Sequence, residues 1–230
     1  MKVAFEGLDL PEGKTRYGDP IVAALVEKFK PAKVSPYYFE FICGGFEAAE
    51  AVVIAGARML DLLILDLERV ENRLGRAEDA AERVLLESCL RELEQERPLC
   101  DAALDEADRR ALRAMGAVSL KPTLRIDGKN GNVDHVCEAL LDKADKMFFY
   151  TAGKQEVHAW LVDRGADAVT CAGRIHTDLA RGFIKAEVVS FEDLMQTHSL
   201  QSARQEGLTR LVDRDYRVEP RSVLDIRFNV

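Results

Sequence analysis

The chain has 230 residues, of which 47% are hydrophobic and 31% charged, a composition typical of a globular protein with a sizeable core and not of a disordered one. Its formal net charge is −8, and most of this charge lies in 1–146. Residues 147–230 hold 11 Lys/Arg and 12 Asp/Glu, a net charge of −1, so 1–146 carries the remaining −7. This acidic balance argues against strong nonspecific binding to a phosphate backbone. No apolar run approaches the roughly 18 residues of a membrane span, and the start MKVAFEG lacks a secretory signal, so we expect a cytoplasmic protein with no membrane contact.

The first part of the chain alternates predicted strands with one predicted helix. Asp19 and Pro20 mark the helix start, because Asp accepts from early helix N–H groups and Pro fits the first helical position. Alternation of this kind predicts a parallel sheet in an α/β core. The segments in order are a strand (2–6), a loop (7–18), the helix (21–30) and two strands (37–42 and 51–56).

A long helical pattern follows from about Met59 to Glu96, with Gly75 and Asp79 between two runs of leucine at helical spacing. Acids and arginines lie between the apolar positions, as an antiparallel helical hairpin requires. Asp105 is a plausible N-cap for the next helix. The remaining predicted segments are that helix (105–115), a strand (121–126), a turn (128–132) and a further helix (133–143).

Several sequence blocks occur in one fixed order in the last third of the chain. They are FFYTAG (148–153), EVHAW (156–160), AGRIHTD (172–178), RGFIKAEV (181–188) and RFNV (227–230). Together they resemble the C-terminal TGS-type β-grasp domain of the YchF family of Obg-like P-loop ATPases. Weaker likenesses to the family's nucleotide-binding core and helical insertion lie in 18–42, 65–78 and 104–124.

This resemblance implies a chain of two parts. Residues 1–146 are expected to form a degenerate nucleotide-binding-like α/β core, a truncated P-loop-like core with a helical hairpin inserted at about 58–97. Residues 147–230 are expected to form an α+β β-grasp domain of the TGS-like type.

The segment Gly7 to Thr15 is the candidate phosphate-binding loop. A working P-loop has the form G-x-x-x-x-G-K-[ST] and opens directly into a helix, whose N-terminus helps to bind the phosphate. Here five residues separate Gly7 from Gly13, and RYGDP after Thr15 prevents a helix until Ile21. One interpretation is a distorted P-loop that still binds through Gly7, Gly13, Lys14 and Thr15. The preferred interpretation aligns Gly13 to Pro20 with a turn that lies beyond the P-loop in the family.

Two other nucleotide motifs of the family also differ. Its Asp-x-x-Gly element, which supports magnesium and the γ-phosphate, is replaced by Cys43-Gly44-Gly45-Phe46, which contains no carboxylate. Its base-reading Asn-x-x-Glu element corresponds to Asp127-Gly128-Lys129-Asn130, which we interpret as a surface turn. These differences predict a chain with no catalytic residues, no metal site and no cofactor.

The expected function is that of a non-catalytic binding or regulatory protein, a shortened YchF-like protein linked to translation. The TGS-like part is expected to contact a protein, or the ribosome and its RNA, and self-association through the first part is equally consistent. The alternative is a divergent Mg-dependent ATPase or GTPase that uses Lys14 and Thr15. A third hypothesis is a nucleotide sensor that binds without turnover.

Two further groups of residues have structural explanations. Thr177 or Asp178 is expected to cap a short helix, so His176 is not taken as a catalytic base. Arginines concentrated near the C-terminus are consistent with a local basic face, but pairing with the acids between them is the preferred interpretation. These arginines are Arg204, Arg210, Arg214, Arg217, Arg221 and Arg227, and the acids are Glu206, Asp213, Asp215, Glu219 and Asp225. The five irregularly spaced cysteines, Cys43, Cys89, Cys100, Cys137 and Cys171, form no C-x-x-C pair and are expected to be free thiols.

Overall fold

A computed structural model describes residues 1–128 and 132–229, which form a mixed α/β fold with two sheets. The strands are β1 Lys2–Glu6, β2 Gly13–Arg16, β3 Lys33–Ser35, β4 Tyr38–Cys43, β5 Ala51–Ala55, β6 Thr123–Ile126, β7 Lys146–Ala152, β8 Glu156–Asp163, β9 Phe183–Ser190, β10 Arg210–Val212 and β11 Ser222–Phe228. The helices are α1 Pro20–Phe29, α2 Met59–Leu74, α3 Ala80–Glu94, α4 Glu106–Ala114, α5 Val133–Lys143, α6 Ala168–Ile175, α7 Thr177–Arg181, α8 Phe191–Gln196 and α9 Leu200–Gln205.

The chain divides into two compact units, each built from two segments. The first unit comprises Met1–Thr15 and Tyr38–Ala144, and the second comprises Arg16–Tyr37 and Asp145–Val230. Within the described residues, no helix is both long enough and apolar enough to cross a membrane.

The sheet of the first unit has the strand order β2-β4-β1-β5-β6. Strands β4, β1, β5 and β6 are mutually parallel. The apolar run of β5 is buried from Ala51 to Ile54, as expected for a parallel strand that is covered on both faces. This arrangement places the carboxyl ends of the four strands at one edge of the sheet.

The predicted helical hairpin is confirmed as α2 packed against α3. Its apolar face joins the core of the first unit through Leu62, Leu63 and Val70. Asp66 of α2 is fully buried and accepts three hydrogen bonds of 2.7 Å, from the N–H groups of Val118 and Ser119 and from the Ser119 hydroxyl. Because a buried carboxylate needs such donors, this cluster fixes α2 against the segment that enters β6.

The sheet of the second unit has the order β10-β9-β11-β7-β8-β3. Strand β11 lies between β7, to which it is parallel, and β9, to which it is antiparallel. Helix α6 contacts β8 and β9. The core beneath it contains Phe149, Ala172, Val188 and Leu224.

Arg16–Tyr37 belongs to the second unit, whereas the predicted boundary put all of 1–146 in the core. Asp19 caps α1 as expected, accepting from the Ile21 N–H at 2.8 Å and the Val22 N–H at 3.3 Å. Its second carboxylate oxygen accepts from the Tyr150 hydroxyl of β7 at 2.8 Å. Strand β3 pairs with β8 in parallel. These partners lie more than 100 residues away in sequence, so local patterns could not indicate them.

The predicted helices and strands of 1–146 are confirmed to within two residues at their ends. The loop predicted over 7–18 is wrong in part, because it contains β2, and β3 was not predicted. Both missed strands are short and lie at sheet edges, where no buried face imposes alternation. The predicted turn 128–132 lies partly outside the described residues, since 129–131 are not among them.

Candidate functional site

The carboxyl edge of the first sheet is the candidate site. In open parallel sheets, ligands bind at this edge where the connections from two neighbouring strands leave in opposite directions. Strand β1 is followed in the sheet by β4 on one side, and β5 leads to β6 on the other. The crevice between β1 and β5 is therefore the place to look for a nucleotide site, and it begins at Glu6, Gly7 and Ala55.

The Arg58 side chain occupies this crevice. Its Nη2 atom lies 3.3 Å from Glu6 Oε1, and its Nε atom lies 2.6 Å from Asp61 Oδ2. Gly7 has a φ of +73°, and a Cβ atom there would approach Arg58 Cγ to 2.6 Å. The glycine is therefore required both by its backbone angle and by the close approach of Arg58.

The candidate phosphate-binding residues Gly7 to Thr15 lie in a loop and a strand. After β1 a loop of six residues, 7–12, leads into the extended strand β2, which contains Gly13, Lys14 and Thr15. No helix begins until Pro20, so a helix N-terminus is absent from this described segment. A P-loop needs convergent N–H groups and the positive end of a helix, neither of which an extended strand supplies. Lys14 is exposed to solvent.

The segment after β4 provides no carboxylate of its own. Cys43 is exposed, and Gly44 and Gly45 both have a φ of +64°. The Gly44 N–H donates to the Phe5 carbonyl at 2.9 Å and so continues the parallel ladder. A side chain at Gly44 would meet the Glu6 carboxylate at 3.9 Å, and Glu6 is already paired with Arg58.

At the end of β6, Asp127 accepts from Arg125 Nε at 3.1 Å and lies beside Gly56. Lys129 and Asn130, the other residues of the predicted surface turn, lie outside the described residues. Across 1–128 and 132–229, no three His, Cys, Asp or Glu side chains come together as a possible metal site.

Sequence reasoning missed Arg58 and Asp61 as residues of this edge. The available signal was Gly56 directly after the apolar run AVVIA, which marks a strand that ends in a turn before a helix. Sequence could not show that Arg58 lies against Gly7, because the two residues belong to different strand ends.

The predicted pairing of the C-terminal arginines with acids holds for Arg204, Arg221 and Arg227, with acids other than those predicted, whereas Arg217 donates to the Gly165 carbonyl. Arg204 and Arg227 both pair with Glu187 of β9, and Arg221 pairs with Glu192. Glu187 is buried, and its hydrogen bonds to Arg204 are the main reason that its pKa falls to about 2. These contacts stabilise the second unit and do not form a reactive site.

Two of the three histidines of the second unit, His158 and His176, also have structural roles. The cap of α7 is His176, whose Nδ1 accepts from the Asp178 N–H at 3.2 Å, and not Thr177 or Asp178 as predicted. His158 stacks on Trp160 with ring centroids 3.5 Å apart. Burial lowers the pKa of His158, so neutral imidazole is favoured against the indole.

Several known proteins are similar to this chain in sequence. Residues 147–229 match the family YchF-GTPase_C, described as "Protein of unknown function (DUF933)". The "Ribosome-binding ATPase YchF" of Escherichia coli O157:H7 is 29% identical over 74% of this chain and 64% of its own length. The protein of that name from Bacillus subtilis (strain 168) is 38% identical over 44% of this chain and 28% of its own length. The chain thus spans less than two thirds of the curated relatives it matches.

A solved structure extends the likeness to the whole fold. The "Structure of the Schizosaccharomyces pombe YchF GTPase" superposes with a TM-score of 0.76 at 14% identity, covering 99% of this chain and 97% of that one. The mixed α/β fold with two sheets is therefore similar to the fold of that solved structure. With the matching C-terminal segment, the chain resembles the YchF family.

The prediction that the chain uses no cofactor is wrong in this context. The relatives are named as ATPases and the solved structure as a GTPase, so ATP or GTP is the cofactor class to consider.

Proposed function

We propose that this chain is a ribosome-linked YchF-like binding protein that does not hydrolyse nucleotide through Gly7 to Thr15. The observation that carries the proposal is the course of the chain after β1. It enters an exposed strand where the phosphate-binding helix of an NTPase would begin. A nucleotide, the cofactor class of the relatives, then acts as a ligand and not as a hydrolysed substrate.

The charges at the carboxyl edge support the absence of hydrolysis. Phosphoryl transfer depends on positioned cations and a metal-supporting carboxylate near the γ-phosphate. Arg58 is neutralised by Glu6 and Asp61, and the segment 43–45 carries no acid. Any phosphate in this crevice would also meet the Glu6 carboxylate, which is unfavourable unless a cation bridges the two.

The ribosome link rests on the second unit. Its match to the YchF C-terminal family covers 147–229, and relatives that match 43% and 44% of this chain are named ribosome-binding. We propose that this unit is a TGS-like β-grasp domain. In support, the hairpin β7–β8, helix α6, strand β9 and the central final strand β11 follow each other in the order of that fold.

Hydrolysis is tested by phosphate release from ATP and GTP with magnesium, with and without ribosomes. We expect no turnover above background. Turnover near ~1 per second that Lys14→Ala abolishes would show that the loop is a working P-loop.

Ribosome contact is tested by sedimentation of the full chain with ribosomes through a sucrose cushion. Leu211 and Ile184 of the second unit are each 53% exposed, so Leu211→Asp and Ile184→Asp alter its surface without altering its core. Val84→Asp is the matched control, because Val84 is an exposed apolar residue of the first unit. We expect the double variant Ile184→Asp/Leu211→Asp to sediment less and the control to sediment normally. Equal loss in both proteins, or no sedimentation of the unaltered chain, would count against the assignment.

A further inference from the structure

A separate pocket of about 580 Å³ lies at the amino edge of the first sheet. The segment 116–122, which leads into β6, forms one wall, and Glu47, four residues before β5, forms part of another. The pocket is therefore at the edge opposite the candidate nucleotide crevice. Its volume is within the range of sites for small molecules, roughly 300–1,000 Å³.

The lining of this pocket is basic. Arg69 of α2, Arg113 of α4 and Lys121 border it, with Glu47 as the acidic residue of the lining. A smaller neighbouring pocket of about 300 Å³ shares Arg69 and adds Arg73 and Arg76. The two linings together carry five cations and one carboxylate, and three of these cations are ion-paired, Arg69 with Glu47 and Asp66, Arg73 with Glu82, and Arg113 with Glu106. A phosphate in the pocket would compete with these carboxylates for the guanidinium groups, and its second negative charge favours the exchange.

The structure holds these cations in place before any ligand arrives. Lys121 Nζ donates 2.8 Å hydrogen bonds to the carbonyls of Phe46 and Glu47, and Arg69 Nη1 lies 3.2 Å from the buried Asp66 carboxylate. Burial lowers the pKa of Lys121. An ammonium has three donors and a guanidinium five, so both groups retain N–H groups for a ligand. Preorganised donors lose less entropy on binding than mobile ones.

An apolar wall faces the cations. Met115, Leu120 and Pro122 border the pocket, and α4 ends beside them at Gly116, which has a φ of +75°. The Ala117 N–H closes this helix end by donating to the Leu112 carbonyl at 3.0 Å. A Cβ atom at Gly116 would meet nothing within 4 Å, so this wall is open to a ligand.

We propose that the pocket binds a small phosphorylated organic molecule. Its phosphate is held by Arg69, Arg113 and Lys121, and its organic part packs on Met115, Leu120 and Pro122. Three cations that line one pocket favour a doubly charged phosphate over a single carboxylate, and Arg guanidinium matches phosphate geometry. The inference is independent of the proposed function, which concerns the opposite sheet edge and the second unit.

The test is a phosphorus NMR titration of the full chain at low salt, with phenyl phosphate and inorganic phosphate as probes. We expect phenyl phosphate to bind at least about fivefold more tightly, because its ring reaches the apolar wall. Arg113→Glu should weaken phenyl phosphate binding about tenfold or more, and Glu47→Gln should strengthen it a few-fold. Arg110→Glu is the matched control, since Arg110 is an exposed residue of α4 that does not line the pocket, and its affinity should stay within about twofold.

Circular dichroism of each variant distinguishes loss of binding from loss of fold, and opposite effects of Arg113→Glu and Glu47→Gln cannot both arise from instability. Equal weakening in Arg113→Glu and Arg110→Glu would mean that only the overall charge matters and would overturn the proposal. An RNA oligonucleotide that binds through Arg113 while phenyl phosphate does not bind would also overturn it, in favour of a nucleic-acid surface.

Discussion

The contact between Asp19 and Tyr150 allows a quantitative test of how the second unit is assembled. Asp19 is 6% exposed, caps α1 and accepts from the Tyr150 hydroxyl of β7. Burial, followed by the neighbouring Asp19 carboxylate, raises the pKa of Tyr150 far above its usual value, so the hydroxyl remains a donor. One side chain therefore stabilises a helix end and anchors the segment Arg16–Tyr37 to the sheet.

Asp19→Ala should lower the free energy of unfolding of the second unit by about 3 kcal/mol. About 1 kcal/mol comes from the lost helix cap. A further ~2 kcal/mol comes from leaving a buried hydroxyl without its charged acceptor. Tyr150→Phe should cost about 1–2 kcal/mol, and the double variant should cost less than the sum of the two, since the residues share one hydrogen bond.

Urea unfolding followed by fluorescence measures these changes. The single tryptophan, Trp160, lies on β8 and therefore reports on the second unit. Asp79→Ala, followed by circular dichroism because Asp79 belongs to the first unit, is the control for a bare helix cap, since Asp79 caps α3 through the Glu82 N–H and is exposed. It should cost only about 1 kcal/mol. An Asp19→Ala effect no larger than that of Asp79→Ala, or strict additivity with Tyr150→Phe, would refute the proposed anchor.

Three further outcomes are expected. Asp66→Ala should destabilise the first unit by at least about 3 kcal/mol in urea unfolding followed by circular dichroism, because it leaves the buried Val118 and Ser119 donors without an acceptor; a loss below about 1 kcal/mol would contradict this role. The folded pKa of Glu187 is depressed to about 2, so its stabilisation is present above the unfolded value near 4.5 and is lost as the pH falls through about 2. Between pH 6 and pH 3 the free energy of unfolding of the unaltered chain should therefore fall by about 1–2 kcal/mol more than that of Glu187→Gln. This figure allows for the half-exposed arginine partners. Finally, Lys14→Ala should change stability by less than ~0.5 kcal/mol and leave the nucleotide-induced shift in melting temperature unchanged, since Lys14 is exposed on β2; loss of that shift would identify Lys14 as a ligand contact.

Local patterns in the sequence determined most of the secondary structure. Asp19 with Pro20, Asp79 and Asp105 each start a helix where capping chemistry requires it. The leucine spacing predicted the helical hairpin and the apolar run predicted β5, because the pattern of buried and exposed positions depends on residues that are close in sequence. The ordered blocks between 147 and 230 likewise indicated the family, which the match over 147–229 confirms.

The candidate site followed less completely from sequence. The five-residue gap after Gly7 and the missing acid after β4 predict that a standard P-loop is absent, and this stays a prediction; the structure places Gly13 to Thr15 in β2. The inference from this to a protein without a cofactor was too strong, since motif loss at one loop does not exclude a nucleotide held elsewhere. The ion pair of Arg58 with Glu6 could not be seen in advance, because it joins the ends of two strands.

Tertiary structure alone decided which distant residues meet. It assigned Arg16–Tyr37 to the second unit through Tyr150 and the pairing of β3 with β8, and it gave Arg204 and Arg227 a common partner in Glu187. The physical reason is that capping and periodic burial act over a few residues along the chain. Hydrogen bonds, ion pairs and pockets depend instead on how folding brings separate elements together, which one sequence without its fold does not specify.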